Sequence, residues 1–417
     1  MVNHTTSRIL LRFLPFWIFL ILFKLAGGLH YSLISPIGET LFPLWIVGLV
    51  MGGSSLIQLL LDVPAGHLLD KYGYKKLLVV TTIIFFVGAV CFLFKLTALS
   101  FLISLTFATF GWLFFGPGVN AYILSHTPRE ASGKFISFRD VFGSVGVVLS
   151  SAVLAFALTI PTHTVGWLLS FLFLLSVLAI IMSPKDKISV HHKEKIPSHH
   201  HYIRRHAFLD TLRAIKKLNP ASGILLLLGF SASTFYGTIW FVVPLVIAHS
   251  ANSGFLSLGL GIFDFAIVIL GFLLGNLADK ANKRTMVFFG LLIFSIAGMF
   301  IGFNFGWLFL ILGFLATAGD EMASISLWSW LHNLDREHAE DGLVSGVINL
   351  FQDLGWAIGP LFAGIFYTII GPAWTITVSA IFIVVTWLIY QFMVHRHTDG
   401  VAYNLLPRKP HRLRHKS

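Results

Sequence analysis

Long apolar runs recur along the whole chain, and several approach or exceed the roughly 20 residues that cross the hydrocarbon core of a bilayer as a helix. Only 11% of the 417 residues are charged, whereas an average soluble domain has roughly 25%. The mean hydropathy is +0.84. Together these values exclude a water-soluble fold and predict a polytopic membrane protein. Twelve helices are predicted, beginning near Arg12, Pro43, Lys76, Ser100, Phe135, Val165, Ala221, Gly254, Thr285, Trp307, Leu343 and Trp374.

A polar stretch after the sixth predicted helix divides the helices into two groups of six. We therefore expect an all-α membrane fold with an N-terminal six-helix bundle over residues 1–182, a basic, His-rich linker over 183–220, a C-terminal six-helix bundle over 221–395 and a basic tail over 396–417. Arg8 and Arg12 before the first apolar run are also typical of a secretory signal. The length of that run and the eleven runs that follow it favour a retained helix instead.

The positive charges are distributed unevenly across this predicted topology. All but two of the 29 Lys and Arg residues fall on one side, the exceptions being Lys24 and Lys95. By the positive-inside rule that side is the cytoplasm. We therefore predict a multi-pass protein of the inner (plasma) membrane with both termini cytoplasmic. The net charge of +11 then reflects topology and attraction to membrane lipid, and we expect no nucleic-acid partner.

Metal and cofactor chemistry finds little support in the sequence. The single cysteine, Cys91, has no second cysteine for a disulfide or a thiolate metal site. The linker contains six histidines between His191 and His206, and we interpret this segment as a solvated loop rather than a metal site. We predict no metal and no cofactor. Since no histidine lies near the predicted midplane, a membrane-embedded enzyme such as an acyltransferase is a remote alternative.

The two halves carry matching sequence at corresponding positions. Gly66–Lys71, after the second helix, and Gly275–Lys280, after the eighth, share Gly, Leu, Asp and Lys at an offset of 209. A second match joins the entries to helices 5 and 11, where Asp140 corresponds to Asp353 at an offset of 213. Two matches at nearly the same offset indicate a parallel internal duplication.

The segment Asp62–Lys76 resembles the signature after helix 2 of the major facilitator superfamily, which runs Gly, three residues, Asp, a cation, one residue, Gly and then basic residues. Asp279–Arg284 resembles its degenerate copy after helix 8, with Asn282 in place of the turn glycine. Asn is a natural substitute because it tolerates positive φ. The chain departs from the family at Tyr74, where Arg is usual, and at Trp112, where proton-coupled members often carry Arg. The Gly-Pro signature of antiporters is absent from helix 5.

The resemblance implies two pseudo-symmetric bundles, a central site lined by helices 1, 4, 7 and 10, and alternating access by rocking of the bundles. It also implies a cytoplasmic gate, in which Asp70 caps the N-terminal end of helix 11 and basic residues hold helices 2, 4, 5 and 11 together. The alternative is that these charges only set topology. The predicted gate residues are Asp62, Gly66, Asp70, Lys71, Gly73, Lys75, Arg139, Asp140, Asp279, Lys280 and Asp353.

A few charges fall inside the predicted membrane, where each costs at least about 2.5 to 3.5 kcal/mol and should face protein or a water-filled cavity. Lys24 is the deepest cation, and we expect it to meet Asp320 or Glu321 across the two halves. Such a pair serves either transport or stability alone. For the aromatic candidates, simple packing is the alternative. The predicted substrate and coupling residues are Lys24, Asn120, Tyr236, Trp240, Asp264, Asp320 and Glu321.

These features predict a secondary active transporter of small organic solutes that works as a monomer by alternating access. We favour proton-coupled efflux of partly hydrophobic compounds, because acids and aromatic residues are available. Uptake of an anionic metabolite attracted by Lys24 is the alternative. A substrate-free sensor that descends from the same family is a further rival.

Overall fold

A computed structural model describes residues 11–127, 132–185, 220–250, 253–280, 282–303, 305–334 and 341–398. The predicted linker beyond residue 185 and the basic tail beyond residue 398 lie outside these ranges. The side chains of Asp70, Asp279 and Lys280 also lie outside the described part of the chain. The described helices are α1 (Leu14–Glu39), α2 (Leu44–Tyr72), α3 (Tyr74–Val90), α4 (Ala98–His126), α5 (Ser132–Thr159), α6 (Thr162–Met182), α7 (Pro220–His249), α8 (Ser253–Lys280), α9 (Lys283–Ile301), α10 (Trp307–Leu334) and a final segment, Asp341–Thr398.

The final segment is two helices joined at a sharp break. Gly371 has φ 77° and ψ 172°, a conformation that glycine adopts without the steric cost other residues incur, and Pro372 follows it. We call the helix before the break α11 and the one after it α12. Every helix begins within three residues of its predicted start. The prediction of twelve apolar helices is therefore confirmed.

Two helix junctions test the signature residues. Gly73 lies between α2 and α3 with φ 92°, so the signature's turn glycine is required by the backbone. Asn282 occupies the corresponding place between α8 and α9 but has φ −69°. The expectation that Asn replaces glycine for its positive φ is wrong here. Instead, the Asn282 side-chain oxygen accepts a hydrogen bond from the Arg284 N–H at 3.0 Å, which caps the first turn of α9.

Aromatic residues mark one boundary of the helical layer. We call the side where α6 ends and α7 begins the linker side, and the opposite side the distal side. Among the described tryptophans, four are at least half exposed and lie in the first two turns of α2, α6, α10 and α12, all at distal ends. Tryptophan prefers the interface between lipid and water, so this ring of residues fits the distal membrane surface. They are Trp45, Trp167, Trp307 and Trp374.

Glycines bring the two halves into close contact where α2 crosses α11. A Cβ built on Gly48 would lie 3.0 Å from the Cα of Gly364, and a Cβ on Gly364 would lie 2.5 Å from the Leu44 carbonyl oxygen. Larger residues therefore do not fit at this crossing. Gly48 and Gly364 both lie in the distal half of their helices, so the crossing holds the halves together on that side.

Polar contacts reinforce the closure of the distal side. The Ser35 hydroxyl of α1 donates to the Phe241 carbonyl of α7 at 2.9 Å. At the ends of the same two helices, the His249 Nε2 and Glu39 Oε2 atoms lie 2.9 Å apart. The Ser257 hydroxyl of α8 accepts a hydrogen bond from a backbone N–H of α5 at 3.1 Å. The described contacts between the halves thus close the distal side in this conformation.

Candidate functional site

The inner face of α1 lies directly on α5. The Trp17 and Phe142 rings stack with their centroids 5.1 Å apart. Two turns along, a Cβ on Gly146 would lie 2.5 Å from the Ile21 carbonyl oxygen and 2.8 Å from the Lys24 Cβ. Only a glycine allows the two backbones to approach this closely. This contact fixes the backbone at Lys24 against α5.

The Lys24 ammonium is held by aromatic rings of α4. Its Nζ atom lies 4.9 Å from the Trp112 ring centroid and 5.3 Å from that of Phe115, within the range of cation–π attraction. Lys24 is only half-buried although it lies near the middle of α1. Because its neighbours belong to several helices, that exposure is to the interior, not to lipid.

Asp264 of α8 faces Lys24 from the other half. Its carboxylate attracts the Lys24 ammonium electrostatically and accepts a hydrogen bond from the Ser144 hydroxyl of α5 at 3.1 Å. This group of three side chains spans the two halves. A hydrogen bond and a nearby opposite charge both offset the free-energy cost of removing a carboxylate from water.

The partner predicted for Lys24 was different. Asp320 and Glu321 were expected to meet it, whereas Asp264 is the carboxylate that attracts it most strongly. The reason is the packing order of the helices: α1 lies against α5, and α5 lies against α8. Among the helices of the C-terminal half, α8 therefore lies nearer to Lys24 than α10 does.

Asp320 is bound within the C-terminal half. It accepts a hydrogen bond from the Tyr236 hydroxyl of α7 at 3.2 Å and from the Ser324 hydroxyl, one turn along α10, at 3.3 Å. The Tyr236 ring stacks on Phe294, with centroids 5.9 Å apart. The predicted residues Tyr236 and Asp320 thus form one hydrogen-bonded unit.

Glu321 is adjacent to Asp320 and has a different environment. Among the described residues it has no hydrogen-bond or ion-pair partner. Asp320, Asp140 and Asp264 all lie close enough to repel its charge. Glu321 is half-buried. The region between the halves that these side chains line is called the central space below, and its lining residues are Lys24, Tyr236, Asp264, Asp320 and Glu321.

An aromatic cluster lies on the distal side of the central space. Tyr31 of α1 packs edge-on against Trp240 of α7 and Trp356 of α11, with centroid distances of 6.3 and 6.2 Å. The Tyr31 hydroxyl is buried, with no hydrogen-bond partner in the described part of the protein. The predicted Trp240 therefore lies in a contact between the halves. Trp356 was not predicted, and Tyr31, which lies two turns beyond Lys24 on the same face of α1, was not among the predicted site residues.

Asn120 lies near the linker-side end of α4. Its side-chain oxygen accepts a hydrogen bond from Arg139 of α5, and Arg139 also pairs with Asp140. The three residues link α4 to α5 within one half. This places Asn120 beside two predicted gate residues rather than beside the other predicted substrate residues.

Two other predicted gate residues meet across the halves. The carboxyl groups of Asp62 on α2 and Asp353 on α11 lie close enough to interact electrostatically. Two ionised carboxylates repel each other, whereas a protonated one can donate a hydrogen bond to its neighbour. Asp62 and Asp353 thus connect the halves on the linker-side part of these helices.

The basic residues of the signature bind nearby helix ends. Lys75 Nζ donates to the carbonyl oxygens of Ile181 and Ser183 at 2.7 and 2.5 Å. These carbonyls end α6, where a cation compensates the negative end of the helix dipole. Lys71 Nζ lies 5.1 Å from the Tyr72 ring centroid. Lys75 therefore holds α3 to α6 within the N-terminal half.

Sequence reasoning missed Ser144 and underestimated Trp112. Ser144 gave no signal because a single hydroxyl in an apolar helix usually bonds its own backbone. Trp112 attracted notice only as a departure from the family pattern. The structure shows that this tryptophan supports the ammonium of Lys24. Lys24 of α1 thus contacts Trp112 of α4. This is the position at which the family pattern described above often has Arg.

Comparison with known proteins agrees with this architecture. The sequence profile of the Major Facilitator Superfamily matches residues 9–357 and 225–411. An uncharacterised MFS-type transporter of Methanocaldococcus jannaschii is 22% identical over 355 residues, which cover 84% of this chain and 89% of the relative. Multidrug resistance protein 2 of Bacillus subtilis is 21% identical over 328 residues, covering 77% and 80%.

A solved structure, the nucleoside transporter NupG, superposes with a TM-score of 0.69 at 15% identity, over 90% of this chain and 97% of that one. At this identity the likeness concerns the fold alone. The profile match covers most of the chain and is independent of that superposition. The chain belongs to the Major Facilitator Superfamily and is a multi-pass membrane transporter, not an enzyme.

Proposed function

We propose that the protein exports small, partly hydrophobic organic solutes in exchange for protons, by alternating access. The observation that supports this proposal most strongly is the central space. It carries charges from both halves, and contacts between the halves close it on the distal side. A substrate bound there has to leave by relative movement of the halves, which is how inverted or duplicated transporter folds work.

The proposal includes an orientation. The linker side carries nearly all of the Lys and Arg residues, so it is the cytoplasmic side by the positive-inside rule. The conformation closed on the distal side then corresponds to one that receives solute from the cytoplasm. We further propose that the protein lies in the plasma membrane and works as a monomer.

Proton coupling is supported by the surplus of acids. Asp264, Asp320 and Glu321 line the central space together with one ammonium group. Uncompensated carboxylates in the membrane are costly, so protons are a natural counter-charge. The neighbouring carboxyl groups of Asp62 and Asp353 offer a further proton site.

Export rather than import is supported by one relative, which is named a multidrug resistance protein. A second candidate is uptake of an anionic metabolite. It is favoured by Lys24, whose ammonium lies in the central space. The two candidates differ in the sign of charge that the site should prefer.

Reconstituted protein in liposomes tests the proposal. A thermal-shift screen across metabolites and drugs first identifies compounds that stabilise the purified protein, since a ligand of the folded state raises its stability by mass action. Flux of these compounds is then measured with and without an imposed pH gradient. We expect gradient-driven flux that a proton ionophore abolishes and that Asp264→Asn reduces. Flux that is insensitive to the gradient would exclude proton coupling.

A further inference from the structure

The residues that follow α6 are held by side chains of α4. The Tyr122 hydroxyl donates a hydrogen bond to the Pro184 carbonyl oxygen at 2.6 Å, and the His126 Nε2 atom lies 2.8 Å from the Lys185 carbonyl oxygen. Tyr122 and His126 lie one turn apart at the linker-side end of α4. Lys75 of α3 binds the carbonyl oxygens at the end of α6 itself. Side chains of α3 and α4 thus fix the start of the linker to the N-terminal half.

His126 has a carbonyl oxygen at each of its two ring nitrogens. Its Nδ1 atom lies 2.8 Å from the Tyr122 carbonyl oxygen, and its Nε2 atom lies 2.8 Å from the Lys185 carbonyl oxygen. A carbonyl oxygen only accepts hydrogen bonds. Both bonds therefore form only when both nitrogens carry a proton, which is the imidazolium form. The neutral ring has one N–H group and donates to one of the two carbonyls.

Ser125 decides what the neutral ring does. Its hydroxyl lies 2.8 Å from the Tyr122 carbonyl oxygen and 3.0 Å from the His126 Nδ1 atom. When Nδ1 carries a proton, this hydroxyl donates to the carbonyl, and when Nδ1 carries none, the hydroxyl can donate to Nδ1 instead. The neutral ring then makes at most one uncharged bond to Lys185, whereas the imidazolium makes a charge-assisted bond, which is roughly twice as strong. Loss of the proton therefore weakens the bond to Lys185 in either neutral form.

Several elements surround the His126 ring. It is the last residue of α4, where a positive charge interacts favourably with the negative end of the helix dipole. Its ring centroid lies 4.4 Å from that of Tyr122 and 5.7 Å from that of the apolar Phe13 ring of α1. The nearby charged groups are Lys75, which the end of α6 binds, and the exposed side chain of Lys185. His126 is half-buried, so protons from solvent reach the ring.

We propose that His126 is a pH-sensitive clamp on the linker side of the protein. As imidazolium it binds the start of the linker to α4, and deprotonation weakens this bond. Histidine changes its charge between about pH 5 and 8, so acid on the linker side fixes Lys185 and alkali frees it. The inference concerns no solute and is independent of the proposed export. The connection between the two halves then begins at a point that depends on pH.

Limited digestion of the purified, detergent-solubilised full-length protein with trypsin tests this clamp. The Lys185 carbonyl, which His126 binds, is the group that trypsin attacks when it cuts after Lys185. Trypsin also cuts after Lys187, and the ratio of the two initial rates, measured by the masses of the fragments, removes the pH dependence of the protease itself. We expect cleavage after Lys185, relative to Lys187, to rise about threefold or more from pH 6 to pH 8, as the loss of one hydrogen bond implies. A ratio that stays constant would overturn the proposal.

Two variants of the histidine assign the effect to its ring. His126→Phe keeps a ring against Tyr122 and Phe13 but donates no hydrogen bond, so the ratio should be high at both pH values. His126→Gln donates a hydrogen bond without a change of charge, so its ratio should also be independent of pH. A pH dependence that persists in either variant would contradict the proposal.

Two further variants separate the clamp from its surroundings. Tyr122→Phe removes the bond to Pro184 and should raise the ratio while its pH dependence remains. His163→Phe, in the first turn of α6 on the distal side, is the matched control and should behave as the unmodified protein does. Loss of the pH dependence in His163→Phe would place the sensor elsewhere. Circular dichroism and size-exclusion profiles that match the unmodified protein establish that each variant is folded.

Discussion

At the scale of single residues, the site depends on charges inside the membrane. The free-energy cost of each charge depends on whether a partner compensates it. Lys24 and Asp264 meet across the halves, and Ser144 adds a hydrogen bond to the carboxylate. Removing one of two opposite charges in the membrane interior leaves the other uncompensated, whereas removing both is often nearly neutral. A double variant therefore distinguishes a role of the two charges in stability from a role in transport.

We predict that Lys24→Met and Asp264→Asn each lower the thermal stability of the purified protein, and that the double variant recovers most of it. Transport should remain lost in the double variant if the pair takes part in coupling. Unfolding temperature and flux, measured on the same preparations, check this prediction. Full flux in the double variant would reduce the pair to a structural role.

The hydrogen bond from Tyr236 to Asp320 gives a second prediction at this scale. Tyr236→Phe keeps the ring that stacks on Phe294 and removes only the hydroxyl, so the protein should fold with normal yield. One donor to the buried carboxylate is lost, at a cost of about 1 to 3 kcal/mol. We expect reduced transport with little change in helix content. Ser295→Ala, a buried hydroxyl outside the central space, is the matched control and should transport normally.

At the scale of elements, glycine positions determine how closely the helices approach. Gly146 lets α5 lie against α1 beneath Lys24, and Gly48 lets α2 cross α11 at the contact between the halves. Gly53, on the same helix as Gly48, has no atom within 4 Å of a built Cβ. Gly48 and Gly53 thus both lie within α2, but only Gly48 is tightly packed against another helix.

Gly48→Leu should prevent the distal closure, because a side chain at this crossing would overlap with Gly364. We expect the distal side to open, so that a cysteine at the buried Ser35 position reacts with maleimide at least about tenfold faster, in a background with Cys91→Ser. Gly53→Leu should leave the labelling rate unchanged. Equal rates in the two variants would mean that the crossing does not control this closure.

At the scale of the whole molecule, two bundles of helices enclose a polar interior within an apolar exterior. The distal ring of tryptophans and the basic residues of the opposite side suit the two faces of a membrane. Contacts between the halves lie along α1 and α7, α2 and α11, and α5 and α8. In the proposed alternating access, we expect movement of the halves to break the distal part of these contacts.

Topology gives the prediction at this scale. We expect reporter enzymes fused after Pro184 and at the C-terminus to show cytoplasmic activity, because Pro184 and the end of α12 lie on the linker side, which we propose is cytoplasmic. Fusions after Thr40 and Ile160, at distal turns, should give the opposite result and serve as controls. Extracytoplasmic activity at Pro184 would overturn the proposed orientation.

The sequence by itself determined the number, position and order of the helices. Apolar length is a local property, and a span has to satisfy its own backbone hydrogen bonds whatever its neighbours are. The same holds for the signature turn at Gly73, where the chain requires positive φ. For these features no knowledge of packing was needed.

Tertiary structure alone decided which charges meet. Lys24 was recognised as a buried cation, but its partner depends on the order in which α1, α5 and α8 pack, and this order is not encoded in any single helix. The same reason explains why Asp264 rather than Asp320 faces Lys24, why Asn120 binds Arg139, and why Tyr31 meets Trp240. Side chains distant in sequence become neighbours only when the helices assemble, so hydropathy fixed the spans and packing fixed the site.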